Sequence, residues 1–278
     1  MKKRVWFDLE IGTNPDSATA LLFALKHPDL DVLGVSISGS KNSQPARLEE
    51  AKTVLDYVVK PYTPLYIGEE IEAEFLTGLK IDHTITTGRL TNIARLILDG
   101  AELGQINIRA GAFSKVNYRG NLIIGEENIT KDMDAARIVL SQYENIVISA
   151  FDASNDLILS DVNRKEIEEK HEFLKDRYDG FEEFLKEKHS DQSHMILHAL
   201  LPVCDVLNLV GITREVIEFK IQADGSFLST HELKNVLDPV SECIQAEGEE
   251  RIPSPKVKHE VIRAVNPEII FEELLRYI

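Results

Sequence analysis

Cysteine is scarce in this chain: Cys204 and Cys243 are the two present in 278 residues. They have no CxxC spacing and no histidine cluster around them. That excludes a disulfide framework or a cysteine-based zinc site, and it predicts two idle thiols in a reducing compartment. Positive charge is also in deficit. There are 31 Lys and Arg against 47 Asp and Glu, a net charge of −16, with a pI near 5.0. Such a chain repels a phosphate backbone or an anionic bilayer, so neither nucleic acid nor a membrane is an expected partner. Long apolar runs are missing: nothing approaches the roughly 18 consecutive apolar residues of a membrane span. The opening MKKRVWFD has only Val5, Trp6 and Phe7 before the first acid, too few for the apolar region of a signal peptide. The cytoplasm is the expected compartment. No linker, repeat or low-complexity stretch interrupts the chain, which predicts a single domain over 1–278.

What is present is a regular alternation. RVWF, DVLGVSIS, PLYIG, HTITT, INIRAGAF and NIVISAF read as strands. DSATALLFALKH, ARLEEAKTVLDYVV, LTNIARLIL and MDAARIVLSQ read as helices between them, the first with Asp16 or Ser17 as its N-cap. Alternation of this kind predicts an α/β, Rossmann-like fold: an open, mostly parallel sheet flanked by helices. Ligands of such sheets sit beyond the carboxyl ends of the strands. In the third quarter the pattern becomes a helical insertion. A charged helix is expected over 163–189 with a break at Gly180, and a more apolar helix over 191–210 carries His198. REVIEFKIQADGSFLST then reads as a hairpin turning at Asp224-Gly225. A late strand and a closing helix with Pro267 in its first turn complete the chain.

Four polar patches fall where this fold would place a ligand. Asp8, Glu10, Asn14 and Asp16 follow the first strand. Their hard oxygens suit Ca²⁺ or Mg²⁺, or the hydroxyls of a sugar, or simply a capped and solvated turn. Thr87 opens TGRLTNIA, where a carbonyl at a strand end could face the crevice or serve an ordinary turn. Asn121, Glu126 and Asn128 lie in one loop. A carboxylate between two carboxamides can grip vicinal hydroxyls, although a polar surface loop has the same composition. His198 in MILHALLPV is either a packed core histidine or a proton donor near neutral pH.

Taken together, these patches resemble the inosine–uridine-preferring nucleoside hydrolase family, and the resemblance runs from the first strand to the last helix. Asp8, Glu10, Gly12, Asp16, Ala18, Ala20 and Leu21 follow its Asp-rich strand-to-helix signature. Residues 87–94 follow its T/I-G-x-L-T-N-I-A motif, and GNLIIGEENITKDMDAA follows its G-N, E-x-N, D-x-x-A-A block. LHALLPV is similar to its H-D-P-x-A-V block. RAGAF falls on a strand that usually reads Met-Gly-Gly, with Arg109 and Ala110 replacing the first two. The resemblance implies hydrolysis of the N-glycosidic bond of a ribonucleoside, a nucleoside as the small-molecule partner, and a homo-oligomer, dimer or tetramer. It implies ribose contacts from Asp16, Asn121, Glu126 and Asn128, with base contacts from aromatics such as Tyr178, Phe181 and Phe184.

The resemblance also implies a calcium ion, and here the chain departs from it. The family's ligand positions read Glu10, Ser17, Thr87 and Ala199. Two of the three ligand carboxylates are therefore replaced by side chains that cannot carry charge. The nearest available oxygens for a metal are those of Asp8, Glu10, Asp16 and Thr87. The sequence thus supports a divergent hydrolase in which Glu10 is the general base on water and His198 assists the leaving group. The alternative is a non-catalytic member that binds a nucleoside or ribose as a pseudoenzyme, sensor or partner subunit.

Overall fold

The computed structural model describes residues 1–12, 14–114, 116–118, 121–123, 125–188, 194–229 and 256–278, with the backbone alone for 116–118, 121–123 and 188. Strand β1 (Lys3–Leu9) leads into α1 (Asp16–Lys26), then β2 (Leu30–Ile37), α2 (Gln44–Tyr57) and β3 (Leu65–Ile67). Next come α3 (Ala73–Gly78), β4 (His83–Thr86), α4 (Thr91–Leu98) and β5 (Gln105–Arg109). A small ribbon of β6 (Val116–Tyr118) and β7 (Asn121–Ile123) precedes α5 (Glu127–Thr130), α6 (Met133–Gln142), β8 (Ile146–Ser149) and α7 (Phe151–Ser154). The helical third quarter holds α8 (Asp161–Lys170), α9 (Glu172–Lys188) and α10 (Leu200–Val206). It is followed by β9 (Ile212–Ile221), β10 (Phe227–Ser229), β11 (Val257–Val265) and α11 (Pro267–Tyr277).

Nine of the described strands form one sheet in the order β10-β9-β11-β8-β5-β4-β1-β2-β3. Its core is parallel, and β9 runs antiparallel to both β10 and β11. The expected α/β architecture is therefore the observed one. Strands covered on both faces must be apolar on both, and β1 is buried from Val5 through Leu9. One core layer packs Phe7, Phe23 and Leu201 on one side of the sheet, and the other packs Trp6, Ile93 and Val139 on the opposite side. Gly34 permits the second layer to close. A Cβ there would lie 2.3 Å from the Trp6 ring, so only glycine lets β2 pass beside the indole. The hairpin turns where expected, with Gly225 at φ +82°. Asn266 caps α11 and Pro267 begins it.

Three local expectations are corrected. The charged helix breaks at His171 and runs unbroken through Gly180. His171 is buried and its Nδ1 is 2.8 Å from the Tyr57 hydroxyl, so a tertiary anchor sets the break. Gly180 is exposed and meets nothing, costing about 1 kcal/mol of helix propensity without ending the helix. His198 precedes α10 instead of lying within a helix, because Leu197 N donates to Leu157 O (2.9 Å) and Leu159 N to Met195 O (2.8 Å). That short extended pairing takes 195–197 out of helical conformation. Neither Asp16 nor Ser17 occupies the N-cap of α1: Pro15 does, and its side chain accepts no capping hydrogen bond. Cys204 is buried, which pushes its thiol pKa up and leaves it inert. Cys243 lies outside the described residues.

Candidate active site

The carboxyl ends of β1, β4, β5 and β8 open into a cavity of about 490 Å³. Glu10 follows β1, Thr87 follows β4, Arg109 ends β5, and Phe151 lies in α7 immediately after β8. Asn14, Asp16, Ser17, Glu126, Asn128 and His198 are further expected members of the wall. Four separate chain segments, at 10–17, 87, 126–128 and 198, thus deliver predicted site residues to one place. Asp8 does not join them. It is fully buried under α4, where its Oδ1 accepts from Ser36 Oγ (2.7 Å) and Asn92 Nδ2 (2.8 Å). Burial pushes its carboxyl up to about 6 against the pull of those two donors. Asn121 begins β7, and its side chain lies outside the described residues.

Glu126 is held by three partners. It caps α5 by accepting from Asn128 N (3.0 Å), accepts from Gly111 N (3.1 Å), and pairs with Arg109. Asn128 reaches across it, donating from Nδ2 to Arg109 O (2.9 Å) and Thr87 O (3.2 Å). The loop and the ends of β4 and β5 are therefore locked together. Asp16 is fixed as firmly: Oδ1 accepts from Ser17 N (2.8 Å) and Oδ2 from Ala199 N (3.1 Å). Ser17 Oγ lies 3.3 Å from Thr87 Oγ1.

Glu10 has an unexpected setting. Its Oε1 accepts from Arg47 Nη2 (2.9 Å) and Lys131 Nζ (3.2 Å), and Oε2 lies 3.8 Å from Arg89 Nε. Burial alone would raise its pKa, but Arg47, Lys131 and Arg89 outweigh burial and hold the carboxyl below the usual range. His198 forms the other wall. Its ring stacks on Phe151 (4.8 Å between centroids, 25° between planes), and its Nδ1 is 3.0 Å from Ser154 Oγ. The Arg109 guanidinium lies over the opposite partner of that stack, 5.4 Å from the Phe151 ring centre. Phe181 and Phe184, stacked at 6.1 Å, also line the cavity, whereas Tyr178 is buried in the core with its hydroxyl 2.8 Å from Thr19 Oγ1.

No family model and no curated protein matches this sequence, but solved structures do. A plant nucleoside hydrolase, PpNRh1, superposes with a TM-score of 0.78 at 18% identity, covering 100% of this chain and 99% of its own. The chain has the nucleoside hydrolase fold. A purine-preferring ribonucleoside hydrolase from Gardnerella vaginalis gives 0.76 at 17% identity, covering 98% and 97%. An inosine-uridine-preferring nucleoside hydrolase from Bacillus anthracis gives 0.68 at 14%, covering 99% and 98%. At such identities the likeness establishes the fold, and the chemistry rests on the residues of this chain.

Within this nucleoside hydrolase fold, sequence reasoning missed Arg47, Arg89 and Lys131 altogether and gave Arg109 no role. No local signal marks them. Arg47 looks like one more charge on an amphipathic helix, and only the placement of α2 beside the end of β1 brings it to Glu10. Several of the oxygens expected to meet a cation are committed elsewhere, although Asp8 Oδ2 and Glu10 Oε2 accept no hydrogen bond among the described residues. The Thr87 carbonyl accepts from Asn128, Ala199 offers only a backbone N–H toward Asp16, and two protein cations bond the Glu10 carboxylate. Among the described residues, no three His, Cys, Asp or Glu side chains converge as a metal cluster. No described helix is long and apolar enough to cross a membrane.

Proposed function

We propose that this protein hydrolyses the N-glycosidic bond of a ribonucleoside or related N-riboside, and that it does so without calcium. The observation that carries the reading is the convergence of Asp16, Glu126, Asn128 and His198 on one cavity of about 490 Å³, a volume suited to a small-molecule ligand. Glu126 and Asn128 are the hydroxyl-binding set, and Asn121 is assigned to it on the sequence resemblance alone. Calcium requires roughly six to eight oxygens, several of them charged. The donor set here does not fit that demand, because Ser17 and Ala199 bring no charge and the Glu10 carboxylate is neutralised by Arg47 and Lys131.

The chemistry this arrangement supports begins with a water on the ribose face beside Asp16. As the C–N bond lengthens, positive charge builds on the ribose ring, and a carboxylate beside it lowers the barrier. The water adds to the anomeric carbon and gives its proton to Asp16. The departing base leaves with the bonding electron pair and takes a proton from His198. Asp16 is better suited than Glu10 to the basic step, since three cations hold Glu10 ionised and weakly basic. Glu10 instead anchors those cations at the cavity wall.

The same cation cage favours a second reading, a non-catalytic N-riboside-binding protein. One experiment separates the two. The protein is incubated with a panel of ribonucleosides, once with calcium and once with a chelator, and free ribose is measured. The hydrolase reading expects equal release in both arms and loss of release in Asp16→Asn. Release abolished by chelation overturns the metal-free route. Absence of release, with thermal stabilisation by a nucleoside, establishes the binding role instead.

A further inference from the structure

One helical turn grips His198 at two points. In α7, Phe151 and Ser154 stand three residues apart and share a face. The Phe151 ring lies against the imidazole at 4.8 Å and 25°, and Ser154 Oγ lies 3.0 Å from Nδ1. The turn is tied to the chain after β5, where Phe151 N donates to Gly111 O (2.8 Å). A stack of this kind sets the plane of a ring but not which of its edges points inward. The hydroxyl sets the edge. With Nδ1 turned to Ser154, the nitrogen through which His198 can exchange a proton with a ligand in the cavity is Nε2.

Ser154 is fully buried, and its hydroxyl has one hydrogen to place. Its Oγ donates to the Phe151 carbonyl at 3.3 Å. A carbonyl oxygen can only accept. With the hydrogen there, Oγ must accept at its contact with His198, and the matching donor is Nδ1–H. The reverse assignment, with the hydroxyl hydrogen given to Nδ1, makes one bond where this arrangement makes two. We infer that Ser154 is a positioning residue for His198, holding hydrogen on Nδ1 through a relay to the Phe151 carbonyl, so that the proton given to the departing base comes from Nε2. Which ring nitrogen carries the proton follows from the bond made by the other. In the charged ring both nitrogens carry hydrogen. The Nε2–H bond breaks, its proton joins the departing base, its electron pair stays on Nε2, and the neutral ring keeps its hydrogen on Nδ1. The catalytic consequence rests on the hydrolase reading above, whereas the tautomer can be observed without turnover.

The test is nitrogen NMR of the isotope-labelled protein, with the His198 signals identified by their loss in His198→Phe. In the wild type, above the pH at which the ring loses its charge, hydrogen should sit on Nδ1. Ser154→Ala should lose that preference, and Ser154→Thr, which keeps the hydroxyl, should retain it. For ribonucleoside hydrolysis, Ser154→Ala should lower kcat about tenfold, the size of one hydrogen bond, with KM nearly unchanged. Substrates whose leaving group needs no proton should be spared. Hydrogen on Nε2 in the wild type, or on Nδ1 in both the wild type and Ser154→Ala, would overturn the inference. So would an equal loss of kcat with both kinds of substrate. If no riboside is hydrolysed while the Nδ1 tautomer is present and depends on Ser154, the hydrolase reading falls and the clamp stands.

Discussion

Arg47 Nη2 donates to Glu10 Oε1 at 2.9 Å, joining the first turn of α2 to the end of β1 across 37 residues of sequence. Both side chains are largely buried, at 11% and 8% exposure. Arg47→Met should therefore destabilise the fold by about 1–3 kcal/mol, with Lys131 and Arg89 partly compensating. The pH dependence follows from the lowered Glu10 pKa. A carboxyl depressed in the folded state contributes stability above its unfolded pKa and loses it as pH falls through the folded one. Arg47→Met should accordingly flatten the acid limb of urea-unfolding stability below the ordinary glutamate range. An unaltered limb would show that the pair carries no stability.

Asp8 gives the opposite sign. Its folded pKa is raised to about 6, while an unfolded aspartate titrates near about 4. The folded state then binds the extra proton, and stability falls as pH rises between about 4 and 6. Asp8→Asn keeps an acceptor for Ser36 and Asn92 without a buried charge. The variant should lose that pH dependence and gain relative to wild type above pH 6. Denaturant titrations across the window check this, and a slope identical to wild type would refute it.

Glu126→Ala removes the α5 cap and strands Arg109 without its carboxylate. Loss of the cap alone should cost about 1 kcal/mol. Thermal stabilisation by a nucleoside should disappear in the variant, because the hydroxyl-binding loop loses its central acceptor. Retained stabilisation would place the ribose elsewhere in the cavity.

His198→Phe preserves stacking on Phe151 but removes the proton donor and the contact to Ser154. If His198 assists the leaving group, kcat should fall about 10²–10⁴-fold, with KM changing far less. Substrates whose leaving group needs no proton should be spared. An equal loss with such activated substrates would make His198 a positioning residue.

Much of the fold is legible in the order of residues. The short apolar runs and helical segments predict the parallel sheet because buried strands and amphipathic helices impose their own periods on a chain. The helix break at His171 and the extended 195–197 segment are not legible there. A hydrogen bond to Tyr57 and a pairing with 157–159 decide them, and both partners are distant along the chain.

For the site, residue identity alone specifies the inventory: acids after the first strand, the polar residues Asn121, Glu126 and Asn128, and His198 in an apolar segment. It also specifies that Ser17 and Ala199 bring no charge. How those groups are used is settled by packing. Folding turns Asp8 inward under α4, fixes Asp16 with two backbone N–H groups, and places Arg47, Arg89 and Lys131 around Glu10. Side-chain identity is a local property, whereas electrostatic partnership depends on through-space distance and burial. Those are set by how β1, α2, α4 and α5 pack together, so the same glutamate reads as a metal ligand in the sequence and as the centre of a cation cluster in the fold.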